Sequence, residues 1–183
     1  PGRFLHFCER ARDRKGLCVL IIDEINRANL ARVFGELMYL LEYRDSSIPL
    51  AGSGTFSIPD NVRIIGTMNT ADRSIALVDH ALRRRFAFLE LEPDYDILRA
   101  YHARTNPNFP IEALIAVLEQ ANRLIDDPNY AIGISFFLHD NLADHLEAIW
   151  TMEIEPYLVE LFFDQPQRRA ELVWNKVADR LGL

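Results

Sequence analysis

The chain has 183 residues, of which 49% are hydrophobic and 26% charged, and its formal charge is −7. These proportions are typical of a globular domain and exclude a disordered or fibrous chain. No apolar run approaches the roughly 20 residues that span a bilayer, and the first residues lack the order of a signal peptide. We therefore expect a soluble, cytoplasmic protein without contact to a membrane.

The charge is divided unevenly between the two halves. Residues 1–89 carry 13 basic and 10 acidic side chains, whereas residues 90–183 carry 7 basic and 17 acidic ones. An acidic second half does not favour sequence-independent binding of DNA there, because neutralising phosphates requires clustered Lys and Arg. Cys8 and Cys18 have no His or Cys neighbours at metal-ligand spacing, which favours buried, reduced thiols.

The first half alternates between short apolar runs and segments whose apolar residues recur at helical spacing. The run Cys18–Ile22, which ends at Asp23, predicts a strand buried on both faces of a parallel sheet. The elements predicted after it are a helix from an Asn29 cap to Tyr43, a loop or hairpin with a short strand at 56–58, a second buried strand at 62–67, a helix at 76–84 and a third strand at 87–91. This order indicates an α/β fold with crossover connections.

The second half is predicted to be wholly helical, with a domain boundary at Glu92–Pro93. The expected helices cover 94–104, 110–126, 141–163 with a break or kink at Pro156, and 166–181. The fold class is thus α/β over residues 1–92 followed by all-α over residues 93–183.

An acidic pair follows the first strand. In open α/β sheets ligands lie beyond the carboxyl ends of the strands, so Asp23 and Glu24 would project into such a site. Four hydrophobic residues followed by Asp-Glu form the Walker B pattern, in which Asp holds Mg²⁺ and Glu polarises the attacking water. The alternative is a chance pair of acids at the end of a strand.

Two further polar clusters bear on this choice. Asn69, after the second strand, can bond both a phosphate oxygen and a water, although the same segment could simply cap the next helix through Asp72 or Ser74. The arginines at 83–85 could complement a helix dipole. They could equally supply bidentate donors to a phosphoryl group bound by a neighbouring subunit.

The sequence contains three motifs in order, DEINRAN at 23–29, MNTADRS at 68–74 and ALRRRF at 81–86. Together they resemble the McrB family, the GTP-hydrolysing AAA+ motor subunits of modification-dependent restriction systems. The similarity continues through YAIGISFF at 130–137, which is similar to a segment of the family's helical lid, and through residues 155–164. The resemblance implies a partial AAA+ P-loop NTPase sheet, formed by the later strands, with a C-terminal helical lid subdomain.

The resemblance also implies the chemistry of the nucleotide site. By motif match, Asp23 is the Walker B residue that binds Mg²⁺, Glu24 is the catalytic acid/base, and Asn69 is the sensor of the water or γ-phosphate. The expected nucleotide is GTP, with ATP as the alternative. The choice follows from family likeness alone.

A hexameric ring with nucleotide at the subunit interfaces is a further implication. Arg84, with Arg85 beside it, is then the arginine-finger candidate acting across the interface, and Asp72 and Asp79 join the polar network between sensor and finger. The implied partners are a McrC-like nuclease subunit and 5-methylcytosine-containing DNA, which the family recognises through a separate N-terminal domain absent from this sequence.

One departure from the family pattern is the P-loop. The sequence contains no Gly-x-x-x-x-Gly-Lys-Ser/Thr, and Gly52 and Gly54 are followed by Thr55 without a Lys. Truncation upstream explains this better than loss, and we expect the isolated chain to be inactive. The alternatives are another AAA+ ATPase of the MoxR- or dynein-like branches and a non-hydrolysing interaction module.

Overall fold

A computed structural model describes residues 2–27, 34–50, 54–69 and 83–183. The chain divides into two compact units, Pro1–Leu89 and Glu90–Leu183. The division falls close to the predicted boundary at Glu92–Pro93, and the assignment of 1–92 and 93–183 to separate functional domains stays a prediction.

The first unit is built around a short parallel sheet. Its described elements are helix α1 (Arg3–Arg12), strand β1 (Cys18–Ile22), a 3₁₀ turn (Ile25–Arg27), helix α2 (Leu37–Glu42), strands β2 (Ile48–Pro49) and β3 (Thr55–Phe56), and strand β4 (Val62–Gly66). β1 pairs in parallel with β4, Cys18 opposite Val62 and Ile22 opposite Gly66, so the two strands end level. The predicted hairpin is confirmed, with β2 antiparallel to β3.

The core of the first unit lies on one face of the β1–β4 sheet. Its buried side chains are Cys8, Ala11, Leu40, Phe56, Ile58 and Val62. The opposite face exposes Val19, Ile21 and Ile65, and Ile21 is 65% exposed. The prediction that β1 is buried on both faces is therefore wrong for the described part of the chain, and β4 is likewise exposed on one face. Successive side chains of a strand point to opposite faces, and the buried cluster occupies one of them.

Other predictions in this unit had mixed outcomes. The third strand expected at 87–91 is wrong: these residues form no strand, and Leu89 is largely exposed. A strand needs a neighbour to bond its main chain, and no described residue pairs with this segment. In the predicted helix from Asn29 to Tyr43, Gly35 has a left-handed φ of 48° before α2 begins. Residues 28–33 and most of the helix predicted at 76–84 lie outside the described residues.

The second unit is helical, as predicted. Its elements are α3 (Tyr95–Thr105), α4 (Ile111–Ile125), α5 (Leu142–Ile149), a π-helical turn (Trp150–Ile154), α6 (Glu155–Leu161) and α7 (Trp174–Leu181), with 3₁₀ turns at Pro128–Tyr130, Ile134–Phe137 and Pro166–Arg169. The Asp94 carboxylate caps α3 by accepting a hydrogen bond from the main-chain N–H of Asp96. Among the described residues, no helix is long and apolar enough to cross a bilayer.

Near Pro156, where a break or kink is predicted, the chain stays helical and changes its winding: a π turn lies directly before the helix in whose first turn Pro156 sits. The single helix predicted over 166–181 is wrong, because residues 170–173 are not helical. Tertiary hydrogen bonds hold the main chain there. The Trp150 indole Nε1–H donates to the Leu172 carbonyl at 2.8 Å, and the Trp174 N–H donates to the Glu155 carboxylate.

Candidate functional site

The site is assembled where β1 and β4 end. Because the two strands end level, the segments that follow them lie side by side. The Thr67 N–H donates to the Ile22 carbonyl at 3.0 Å, and the Ile25 N–H donates to the Thr67 carbonyl at 2.8 Å. These main-chain bonds extend the pairing of the strands past their ends and fix the turn at Asp23 and Glu24 beside Thr67.

The Thr67 hydroxyl contacts both acids of this turn. It donates a hydrogen bond to Oδ1 of Asp23 and accepts one, at 3.2 Å, from the main-chain N–H of Glu24. Thr67 is a site residue that no motif in the sequence indicates. The available signal was its position directly after the second strand, level with Asp23 after the first.

Glu24 has an unusual backbone and a defined side-chain partner. Its φ of 51° lies in the left-handed region, which non-glycine residues seldom adopt. Its Oε2 lies 3.0 Å from Nε of Arg27, and both side chains are exposed. The Glu24 carboxylate thus reaches solvent at the edge of the sheet with one cation beside it.

Asn69 lies at the same edge, as the sequence predicted. Its main-chain carbonyl accepts a hydrogen bond at 3.2 Å from Nδ2 of Asn26, which lies two residues after Glu24. The Oδ1 atom of Asn26 is buried and has no hydrogen-bond partner among the described residues. The Asn26 amide therefore ties the segment that carries Asn69 to the turn that carries the acids, a contact that the sequence pattern does not predict.

Gly66, the last residue of β4, permits this close approach. A Cβ atom at Gly66 would lie 2.8 Å from Cδ1 and 3.1 Å from Cγ2 of Ile25. Separations below 3.0 Å between such atoms are sterically excluded, so any larger residue would displace Ile25 or the strand. Glycine is required here by proximity.

The arginine segment contacts the same apolar cluster as the acidic turn. Ile25 and Phe86 both pack against the buried pair Phe34 and Met38. The base of the acidic turn and the residue after Arg85 thus share a small apolar cluster within the first unit.

The three arginines have different surroundings. Nη2 of Arg85 lies 2.8 Å from Oε2 of Glu42, and the Arg85 side chain is 18% exposed. The Arg83 guanidinium lies 5.6 Å from the ring centre of Phe88, and Arg84 is exposed. Asp72 and Asp79, the residues predicted to link sensor and finger, lie outside the described residues.

The chemistry of the site is compatible with Mg²⁺ at Asp23. Carboxylate oxygens are preferred Mg²⁺ ligands, and the ion commonly takes one or two carboxylates together with waters and phosphate oxygens. Thr67 occupies one lone pair of Oδ1 and leaves Oδ2 of the exposed Asp23 for such a ligand role. No group of three or more His, Cys, Asp and Glu side chains within the described ranges could hold a metal on its own.

Comparison with known families matches each half of the chain. Residues 7–86 match the AAA domain of the dynein-related subfamily, and residues 113–170 match the alpha-helical lid domain of McrB. The two matches follow the order of the α/β and helical units.

Two curated relatives are restriction-enzyme components. The chain is 39% identical to the EcoKMcrB subunit of the type IV methyl-directed restriction enzyme of Escherichia coli (strain K12), over 92% of this chain and 42% of that protein. It is 38% identical to component YdiS of the type II restriction enzyme BsuMI of Bacillus subtilis (strain 168), over 50% of this chain and 33% of that protein. The chain thus spans less than half the length of either relative.

Proposed function

Since the chain belongs to the McrB family of AAA proteins, we propose that it is the C-terminal part of a GTP-hydrolysing motor subunit. The motor would serve a McrBC-like restriction system that acts on DNA containing 5-methylcytosine. The observation that carries this proposal is the acid pair Asp23 and Glu24, which Thr67 holds at the carboxyl ends of two parallel strands beside Asn69.

Each residue at this edge takes a role in the proposed reaction. Bound Mg²⁺ would neutralise charge on the β- and γ-phosphates. Asp23 would hold the ion through its carboxylate, and Glu24, exposed at the edge, would take a proton from the attacking water. Asn69 would orient that water or the γ-phosphate, since an amide both donates and accepts.

The phosphate-binding loop would come from sequence outside these 183 residues. A P-loop contributes backbone N–H groups and a Lys to the β- and γ-phosphates. The motif Gly-x-x-x-x-Gly-Lys-Ser/Thr occurs nowhere in the 183-residue sequence. On this proposal the 183-residue chain alone hydrolyses no nucleotide, whereas the protein that joins it to a P-loop does.

The proposed assembly is a homo-oligomeric ring, hexameric in the family resemblance. Arg84 of one subunit would reach the nucleotide of the next, with Arg85 as the second candidate. A McrC-like nuclease subunit would cut the DNA, and an N-terminal domain would recognise the modification. The names of the two curated relatives, one a subunit and the other a component of a restriction enzyme, support a function of this kind.

One observation favours a second candidate, an AAA ATPase. Residues 7–86 match the AAA domain of the dynein-related subfamily. Parallel hydrolysis assays with GTP and ATP decide between the two nucleotides.

The proposal is tested by Glu24→Gln in the full-length protein that includes a P-loop. We expect nucleotide binding to be retained and turnover to fall on the order of 10²–10⁴-fold, the usual contribution of a general base. Glu9→Gln, which neutralises an exposed carboxylate on α1, is the matched control and should leave turnover unchanged. Turnover at the control's level in Glu24→Gln would exclude Glu24 as the base, and with it the proposed mechanism.

A further inference from the structure

We propose that Thr67 is a positioning residue for the acid pair, whose hydroxyl orients the Asp23 carboxylate for the metal and holds the turn that carries Glu24. This inference rests on the proposed function and concerns a residue outside the matched motifs. Thr67 makes hydrogen bonds to four consecutive residues of the neighbouring segment, 22–25.

The four bonds of Thr67 fall into two classes. Its main-chain N–H and carbonyl bond Ile22 and Ile25, and any residue could make these two contacts. Its hydroxyl bonds the Asp23 carboxylate and the Glu24 N–H, and only Ser or Thr could make both contacts from this position. The main chain of Thr67 thus extends the strand pairing, and its side chain makes the two contacts to Asp23 and Glu24.

Because the Thr67 hydroxyl both accepts and donates, the direction of its hydrogen is fixed. Because the Glu24 N–H donates to Oγ1, the hydroxyl hydrogen is directed at Asp23, and Oδ1 is the oxygen that accepts it. This bond restricts rotation of the Asp23 carboxylate and engages Oδ1, so Oδ2 is the oxygen left for a metal. Partners of this kind orient metal ligands, and their loss typically costs about 10–100-fold in metal affinity or activity.

The hydroxyl also supports the left-handed backbone at Glu24. A non-glycine residue remains in that region only where surrounding contacts determine it. Here the Glu24 N–H is held by Oγ1, the Ile25 N–H is held by the Thr67 carbonyl, and Gly66 leaves room for Ile25. Removing the hydroxyl releases the contact that holds the Glu24 N–H.

The test compares Thr67→Val, which keeps the shape and loses the hydroxyl, with Thr67→Ser, which keeps the hydroxyl. Both are made in the full-length protein with its P-loop. Thr105→Val is the matched control, because the exposed Thr105 hydroxyl donates to the Tyr101 carbonyl and accepts from the Asn106 side-chain amide, both at the end of its own helix. Turnover is measured against Mg²⁺ concentration. Independently of turnover, Mn²⁺ affinity is measured by electron paramagnetic resonance with nucleotide present, in a Glu24→Gln background.

We expect Thr67→Val to weaken Mn²⁺ affinity about 10-fold or more and to raise the Mg²⁺ concentration for half-maximal turnover similarly. Thr67→Ser and Thr105→Val should stay within about twofold of the parent protein. Unchanged metal affinity in a folded Thr67→Val protein would overturn the inference, as would equal losses in Thr67→Val and Thr67→Ser. Failure of the proposed function gives a different result: Glu24→Gln would then keep full turnover, whichever residue is at position 67.

Discussion

The guanidinium of Arg85 lies 2.8 Å from the carboxylate of Glu42, the last residue of α2, and most of the Arg85 side chain is withdrawn from solvent. Its neighbour Arg84 is exposed. An arginine that acts on the nucleotide of another subunit must reach outward, so this pairing favours Arg84 for that role. It gives Arg85 the role of fixing the arginine segment to α2.

Arg84→Ala should abolish hydrolysis in rings made only of that variant, because an arginine finger acts in trans. Mixing Arg84→Ala subunits with subunits whose P-loop Lys is replaced should restore activity, since an intact pocket then faces an intact finger. The measurement is turnover across mixing ratios in the full-length protein. Mixed rings that form but stay inactive at every ratio would contradict the role of Arg84.

Arg85→Ala is the contrasting variant in that experiment. Losing its partly buried ion pair with Glu42 should lower the free energy of unfolding by about 1–2 kcal/mol. Glu42→Gln should lower the free energy of unfolding by a similar amount. If Arg85 had only a catalytic role, Arg85→Ala would leave the free energy of unfolding unchanged.

Gly66→Ala should destabilise the first unit by about 1–3 kcal/mol, because the added Cβ would lie 2.8 Å from Cδ1 of Ile25. The measurement is urea unfolding. Adding Ile25→Ala should recover part of that loss, since it removes the atoms that the new Cβ would meet. Gly16→Ala is the control, because no atom lies within 4 Å of its added Cβ. Additive costs in the double variant would mean that the Gly66 and Ile25 contact is not the cause.

Cys8 should resist alkylation at pH 8 while Cys18 reacts. Cys8 is fully buried, and burial raises the pKa of its thiol to about 11, whereas Cys18 is partly exposed. Because the folded-state pKa lies above the unfolded value, this contribution to stability is complete below about pH 8.5 and is lost as pH rises towards 11. Mass spectrometry of iodoacetamide-treated protein, with and without urea, provides the measurement. Equal labelling of both cysteines in the folded protein would contradict the burial.

The sequence predicted the strands of the site because their apolar runs and terminal acids are local properties. The position of the exposed face, at Val19 and Ile21, depends on which elements cover the sheet, so the apolar run alone could not locate it. The sequence pattern also does not indicate Thr67, since the contact with Asp23 depends on the register of two strands that are far apart in sequence. Arg85 looked equivalent to Arg84 in the motif, and only the fold brings it to Glu42.

In the second unit, the spacing of the buried residues indicates a π-helical turn. The buried residues recur every four positions, at Leu146, Trp150, Ile154, Leu158 and Phe162. On an α-helix such a series drifts by about 40° per repeat, because four residues exceed one turn of 3.6. The π turn at Trp150–Ile154 has more residues per turn and takes up this drift, so the series stays on the buried side. Pro156 predicts a break or kink here, whereas the four-residue period indicates a π turn.

If Glu24 is the general base that we propose, its left-handed backbone makes activity and stability favour different residues at this position. An L-residue with a Cβ is disfavoured in this conformation by roughly 1–2 kcal/mol, and Asn tolerates it better than Glu does. A screen for thermostability alone would therefore favour Asn at this position and select proteins without the proposed general base. Selection for hydrolysis would restore Glu and accept a lower melting temperature. Residue 24 is thus a position where consensus-style stabilisation and function oppose each other.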